Sequence, residues 1–152
     1  MKIEIIFKES IQPSSPTPHH LKTFELSLLD QLIIDPYVPI VLCYPNHNGN
    51  NILQALERAL ALKKFLSNTL TQFYPLVGTI KNDLSIDCND IGAYYAIALV
   101  CCRLKDLLSH PDHKQLNRLL PFQPSLEGSG GAGARVTNVQ VNIFECGGIT
   151  IS

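Results

Sequence analysis

The chain has 152 residues, 45% of them apolar and only 16% charged, a balance that excludes a disordered polypeptide and fits one domain with a core to bury. Its 12 basic and 13 acidic residues sum to a net charge of -1 and are mixed along the sequence. Neither a basic stripe for nucleic acid nor an acidic tail is present.

Lys2 to Lys8 opens with strand alternation, Ile3, Ile5 and Phe7 against Lys2, Glu4 and Lys8, with Ile6 out of phase. Because Glu4 and Lys8 interrupt the apolar residues, this end is not a secretory signal. "QPSSPTPHH" (12–20) follows, and its prolines predict an extended linker. "LKTFELS" (21–27) predicts a short strand and "VPIVLCY" (38–44) a more fully apolar one. A helix is expected from Asn50 or Asn51, with Gln54 placed as in a capping box. Leu53, Leu56, Ala59 and Leu60 form its apolar stripe, while Glu57, Arg58, Lys63 and Lys64 face water; it runs to about Leu66, with a further turn toward Pro75.

"LSIDC" (84–88) and "AYYAIALVCC" (93–102) read as strands, the second buried on both faces. The latter is the longest apolar run, about half of the roughly 20 residues that a membrane-crossing helix needs, so no membrane partner is expected. "RLKDLLSH" and "HKQLNRLL" read as short helices stopped by Pro111 and Pro121. After a glycine-rich loop, Arg135 to Ser152 form a strand pair or one long bent strand. Strands and helices alternate too irregularly for a doubly wound sheet, and the fold class expected is α+β.

Several chemical motifs fail on inspection. "GSGGAG" satisfies G-x-G-x-x-G through Gly128, Gly130 and Gly133, but a pyrophosphate site needs those glycines between a strand and a helix. Here a proline-bounded loop precedes them and a valine-rich strand follows, which predicts a surface loop. No P-loop, G-x-S-x-G or H-E-x-x-H occurs. His19, His20, His47, His110 and His113 all lie in or beside segments rich in proline, asparagine or aspartate, where solvation is expected. Asp83, Asp87 and Asp90 depart from the spacing of a calcium loop and read as turn residues. Cys43, Cys88, Cys101, Cys102 and Cys146, without a C-x-x-C pair, read as reduced, buried thiols of a cytoplasmic protein. The residues themselves supply no catalytic group and no metal site.

Six segments in order, "SSPTP", "KTFELSLLDQL", "FYPLVGTI", "IDCNDIGAYYAIA", "LLPFQP" and "NIFECGGITIS", resemble the BAHD acyl-CoA-dependent acyltransferases of plants, in particular their alkaloid-acetylating branch. The resemblance covers the whole chain. It implies a chloramphenicol-acetyltransferase-like domain, a mixed sheet flanked by helices, with residues 1–152 forming most of the first of two such domains. It further implies a usually monomeric cytoplasmic enzyme with no bound cofactor. Acyl-CoA, acetyl-CoA in the usual case, is the co-substrate and a small-molecule alcohol the acceptor. In such enzymes a histidine of an H-x-x-x-D motif, just after the strand resembling "CGGITIS", takes the proton from the acceptor hydroxyl. A positioned base of this kind is worth roughly 10² to 10⁴ in rate.

That motif does not occur in these 152 residues, so the 152 residues by themselves are expected to be inactive. Tyr37, Ile40 and Leu42 fall where relatives place acceptor-pocket side chains; the competing reading makes Ile40 and Leu42 core residues of an apolar strand. Thr79 and Ile97 stand where family members commonly carry arginine and glutamate, removing charges that could brace the fold. A short, non-catalytic relative acting as a binding protein is the alternative to an acyltransferase.

Overall fold

The computed structural model describes residues 1–32, 38–46, 51–82, 84–121 and 133–152. Its main sheet joins β1 (Ile3–Ile11), β6 (Ala93–Val100), β7 (Asn138–Phe144), β8 (Ile149–Ile151) and β3 (Leu42–Tyr44), in that spatial order. A smaller sheet joins β2 (Thr23–Glu25), β5 (Ser85–Asp87) and β4 (Thr79–Asn82). The helices are α1 (Ile52–Gln72), α2 (Leu104–Ser109) and α3 (His113–Asn117). This is the expected α+β class. β6 and β7 are parallel, because the chain between them crosses over through α2 and α3; every other pair is antiparallel.

Strand alternation divides the main sheet between two apolar layers. Tyr95, Ile97, Val141, Ile143 and Ile149 point into a core shared with α1, while Val100 and Phe144 point into a second one with Leu104, Leu107 and Leu119. β6 is covered on both faces, as its run of apolar residues predicts. The out-of-phase Ile6 has a structural cause: the β1–β6 register shifts between Ile5 and Phe7, and this bulge returns Phe7 to the α1 side.

Asn51 caps α1 by accepting from the Gln54 amide at 3.0 Å. The helix runs unbroken to Gln72, longer than its first apolar pattern suggests, and a 3₁₀ turn, Tyr74–Val77, follows. Its buried stripe differs from the expected one. Ala55, Ala59 and Leu70 are buried with Leu56, Leu62 and Leu66 beside them, whereas Leu53 is 73% exposed. α1 carries enough leucine that two stripes compete by periodicity, and the small alanines decide between them by letting the helix approach the sheet. There the Tyr95 hydroxyl donates to the Ala59 carbonyl at 2.6 Å. Burial, reinforced by the charge of Glu9, pushes the Tyr95 phenol up to about 12.

Other expectations need correction. The proline-rich stretch is extended but pinned: the Ser14 amide donates to the Ser67 carbonyl and Thr71 Oγ1, and Thr17 bonds Asp90. The five thiols are free, but only Cys88 is buried, and Cys101 is exposed. "VPIVLCY" contributes just three residues of edge strand. Among the described residues no helix is long and apolar enough to cross a membrane.

The uncharged pair Thr79 and Ile97 sits without strain. Thr79 is buried and accepts from the Asn89 side chain at 2.9 Å, and Ile97 lies in the α1 core. Arg135, bridged to Thr79 through the backbone, donates to the Gly92 carbonyl at 2.5 Å and so braces the same corner.

Candidate functional site

The carboxy-terminal stretch resolves as a hairpin rather than one bent strand. Phe144 and Gly148 close it, with the Phe144 amide donating to the Gly148 carbonyl at 2.9 Å and the Gly147 amide to the Phe144 carbonyl at 2.8 Å. Gly147 adopts φ +71, and a Cβ there would stand 2.8 Å from Asn46 Nδ2 and 3.0 Å from the Asn51 amide. The paired glycine is therefore what lets the turn pack against the start of α1.

On the face of this hairpin turned away from α1, polar side chains replace apolar ones at every second position. Asn142 and Thr150 are fully buried and Gln140 nearly so. Gln140 Nε2 donates to Asn142 Oδ1 at 2.7 Å, and Asn142 Nδ2 donates to Thr150 Oγ1 at 3.2 Å. Gln140 and Asn142 are joined by Ser152 on one acceptor just after α3. The Leu119 carbonyl receives Gln140 Nε2 at 3.2 Å, Asn142 Nδ2 at 3.0 Å and Ser152 Oγ at 2.6 Å. Asn138, next along the same face, has both side-chain polar atoms buried and unpartnered. Sequence reasoning missed this network. The signal was there, in uncharged polar residues alternating with valine and isoleucine through "NVQVNIF" and "ITIS".

β8 is not a sheet edge: β3 pairs along its outer side, Leu42 opposite Ile151 and Tyr44 opposite Ile149. Leu42 thus stands beside the last residues of β8, and Ile40 precedes it by one strand step. Within these 152 residues both side chains are exposed, Leu42 at 49% and Ile40 at 60%, so they belong to neither apolar core described above. Tyr37 lies outside the described residues.

The remaining sequence candidates stay apart. His19, His20, His110 and His113 are exposed, and His47 falls outside the described residues. Among the described residues no group of histidine, cysteine and carboxylate side chains could hold a metal. Asp90 is a brace: it accepts from the Thr17 amide at 3.1 Å, Thr17 Oγ1 at 2.5 Å and Lys22 Nζ at 2.6 Å. Burial alone would raise its carboxyl, but these hydrogen bonds and the Lys22 charge outweigh it and hold the group below the usual carboxylate value. Asp83, Gly128 and Gly130 are outside the described residues, while Gly133 leads through the Arg135 bridge into strand β7. No helix amino terminus follows it, so the dinucleotide fingerprint lacks its anion-binding half. A cleft of about 530 Å³ between β1 and α1 holds Lys63 and Lys64, but Lys63 is already paired with Glu9.

The model of the Transferase family matches residues 1–152. The chain belongs to this family, the BAHD acyltransferases. It is 43% identical to stemmadenine O-acetyltransferase of Catharanthus roseus over 99% of this chain and 36% of that protein. It is also 43% identical to a limonoid 21-O-acetyltransferase of Citrus sinensis, over 99% of this chain and 34% of the other. The crystal structure of vinorine synthase superposes with a TM-score of 0.81 at 35% identity, covering 99% of this chain and 37% of that one. These 152 residues thus span little more than a third of the length of such relatives, and their fold is that of the front part of the BAHD architecture.

Proposed function

We propose that these 152 residues form most of the first of two domains of an acyl-CoA-dependent O-acyltransferase. The enzyme moves an acetyl group from acetyl-CoA to a hydroxyl of a plant specialised metabolite such as an alkaloid. Its acceptor is apolar and is held in part by Tyr37, Ile40 and Leu42. The base that takes the hydroxyl proton is delivered by the polypeptide that continues β8 beyond Ser152, and the second domain closes over the exposed apolar side chains of Val38, Ile40, Leu42 and Tyr44. Acyl-CoA and the alcohol meet there as substrates, in the cytoplasm, on a monomeric enzyme.

The observation that carries this reading is the meeting of two features at the end of β8. The end of β8 is tied through Ser152 Oγ to the Leu119 carbonyl that Gln140 and Asn142 of β7 also grip, and β8 lies directly beside an exposed apolar edge, Ile40 and Leu42. An alcohol seated on that edge would present its hydroxyl to whatever follows Ser152. Relatives named as stemmadenine and limonoid O-acetyltransferases favour the same chemistry.

The test is to express the complete open frame containing this segment. It is incubated with acetyl-CoA and a panel of indole-alkaloid and limonoid alcohols, and ester is measured. Turnover by the complete protein and none by residues 1–152 alone is expected. Ester formed by the 152 residues alone would show that a base lies among them, and an inactive complete protein would favour a binding role.

A further inference from the structure

We propose that Ser152, Asn142 and Gln140 are positioning residues, whose shared grip on the Leu119 carbonyl fixes the direction in which the chain leaves β8 and hence where the reactive base arrives. The inference rests on the acyl-transfer reading above.

A carbonyl oxygen has two lone pairs, and one or two donors would satisfy it. Leu119 receives three, from residues on two strands, at 2.6 to 3.2 Å. The hairpin does not need them to form. Its backbone ladder is already complete at this end, with the Gln140 amide donating to the Ser152 carbonyl at 2.8 Å and the Ser152 amide to the Gln140 carbonyl at 2.9 Å. Apolar side chains at all three positions would orphan this buried carbonyl, but a single donor would satisfy it, so stability alone does not call for three. What the polar set adds is a single geometry, because directional bonds accept only one placement of strand against acceptor.

The network also has an open end. β8 pairs Gln140 with Ser152, so a strand continued in this register brings its second further residue opposite Asn138. Both polar atoms of the Asn138 side chain are buried there without a partner. A backbone or side-chain group of the continuing chain would satisfy them and extend the grip past the last residue of β8.

The experiment uses the complete protein with acetyl-CoA and its best alcohol from the panel, comparing Ser152→Ala with Ser152→Thr, which keeps the hydroxyl. Misplacing a reacting group by about an ångström can cost roughly 100-fold, so Ser152→Ala is expected to lower kcat by roughly 10- to 100-fold. KM for acetyl-CoA and the melting temperature should stay as in the parent, and Ser152→Thr should recover most of the lost kcat. Asn142→Leu removes two donated bonds and leaves the Gln140 Nε2 donor to Asn142 Oδ1 unpaired, so it should lower the melting temperature as well as kcat, and its kcat is compared at a temperature where the variant is fully folded. Unchanged kcat in Ser152→Ala and Asn142→Leu overturns the proposal while leaving acyl transfer intact. So does a fall in kcat that follows the melting temperature and is not recovered by threonine. A complete protein without turnover overturns the acyl-transfer reading, and this inference with it.

Discussion

Two stretches of nearly equal apolarity meet opposite fates in this fold. Ala93–Val100 sits between β1 and β7 with a helical layer on each face, and Tyr95, Ala96, Ile97 and Ala98 are at most 1% exposed. Val38 to Tyr44 reaches the same sheet only as its outermost strand, leaving Val38 76%, Ile40 60%, Leu42 49% and Tyr44 49% exposed. Within these 152 residues, then, similar side chains are buried or exposed according to how many neighbours the topology supplies. An apolar edge left uncovered within these 152 residues is the kind of surface that marks a binding or docking face.

The comparison breaks if side chains on the two sides cost the same to remove. Phe144, fully buried in the second core, should lose about 3–5 kcal/mol on substitution by alanine in chemical denaturation of residues 1–152. A loss below about 1 kcal/mol would mean that this layer is loosely packed. Gly147→Ala tests the turn between the regions: a left-handed φ and a Cβ pressed against Asn51 should cost about 1–3 kcal/mol. Asp90→Asn keeps a residue tolerant of the positive φ of 58 at that position but removes the charge facing Lys22, for about 1 kcal/mol at neutral pH, since Lys22 is partly exposed. Because the folded carboxyl titrates below its unfolded value, its contribution is present above about pH 4 and fades as the pH falls through the lower folded value. Parent and variant should converge in acid, and a gap that persists unchanged at low pH would remove the charge from the explanation.

Much of the fold could be read from local pattern: the β1 alternation, the Asn51 cap and the end of α2 before Pro111 are all set by neighbours in sequence. What escaped depended on neighbours in space. The α1 stripe turned on which small residues meet Tyr95, and β4 shows itself only once β5 lies beside it. The site was less legible. Ile40 and Leu42 came from family resemblance, and nothing local distinguishes an exposed apolar strand from a buried one. The polar face of the hairpin could be seen as alternation, but its meaning required Leu119, some 20 residues away in sequence and on another layer.

The smallest stability effect belongs to the edge itself. Serine at both Ile40 and Leu42 removes apolar surface that is already half or more in water, so the melting temperature of residues 1–152 should barely move, with a change within about 0.5 kcal/mol per site. Association should respond instead. An uncovered apolar strand edge favours pairing between copies, and the double substitution should lower concentration-dependent scattering and binding of an apolar dye. In the complete protein the same pair should raise KM for the alcohol more than KM for acetyl-CoA, because the acceptor is the ligand assigned to this edge. A large loss of stability would place Ile40 and Leu42 in a core after all, and an unchanged alcohol KM would move the acceptor elsewhere. Loss of both association and acceptor binding at little thermal cost is the combination expected of a surface kept apolar for a ligand and a second domain.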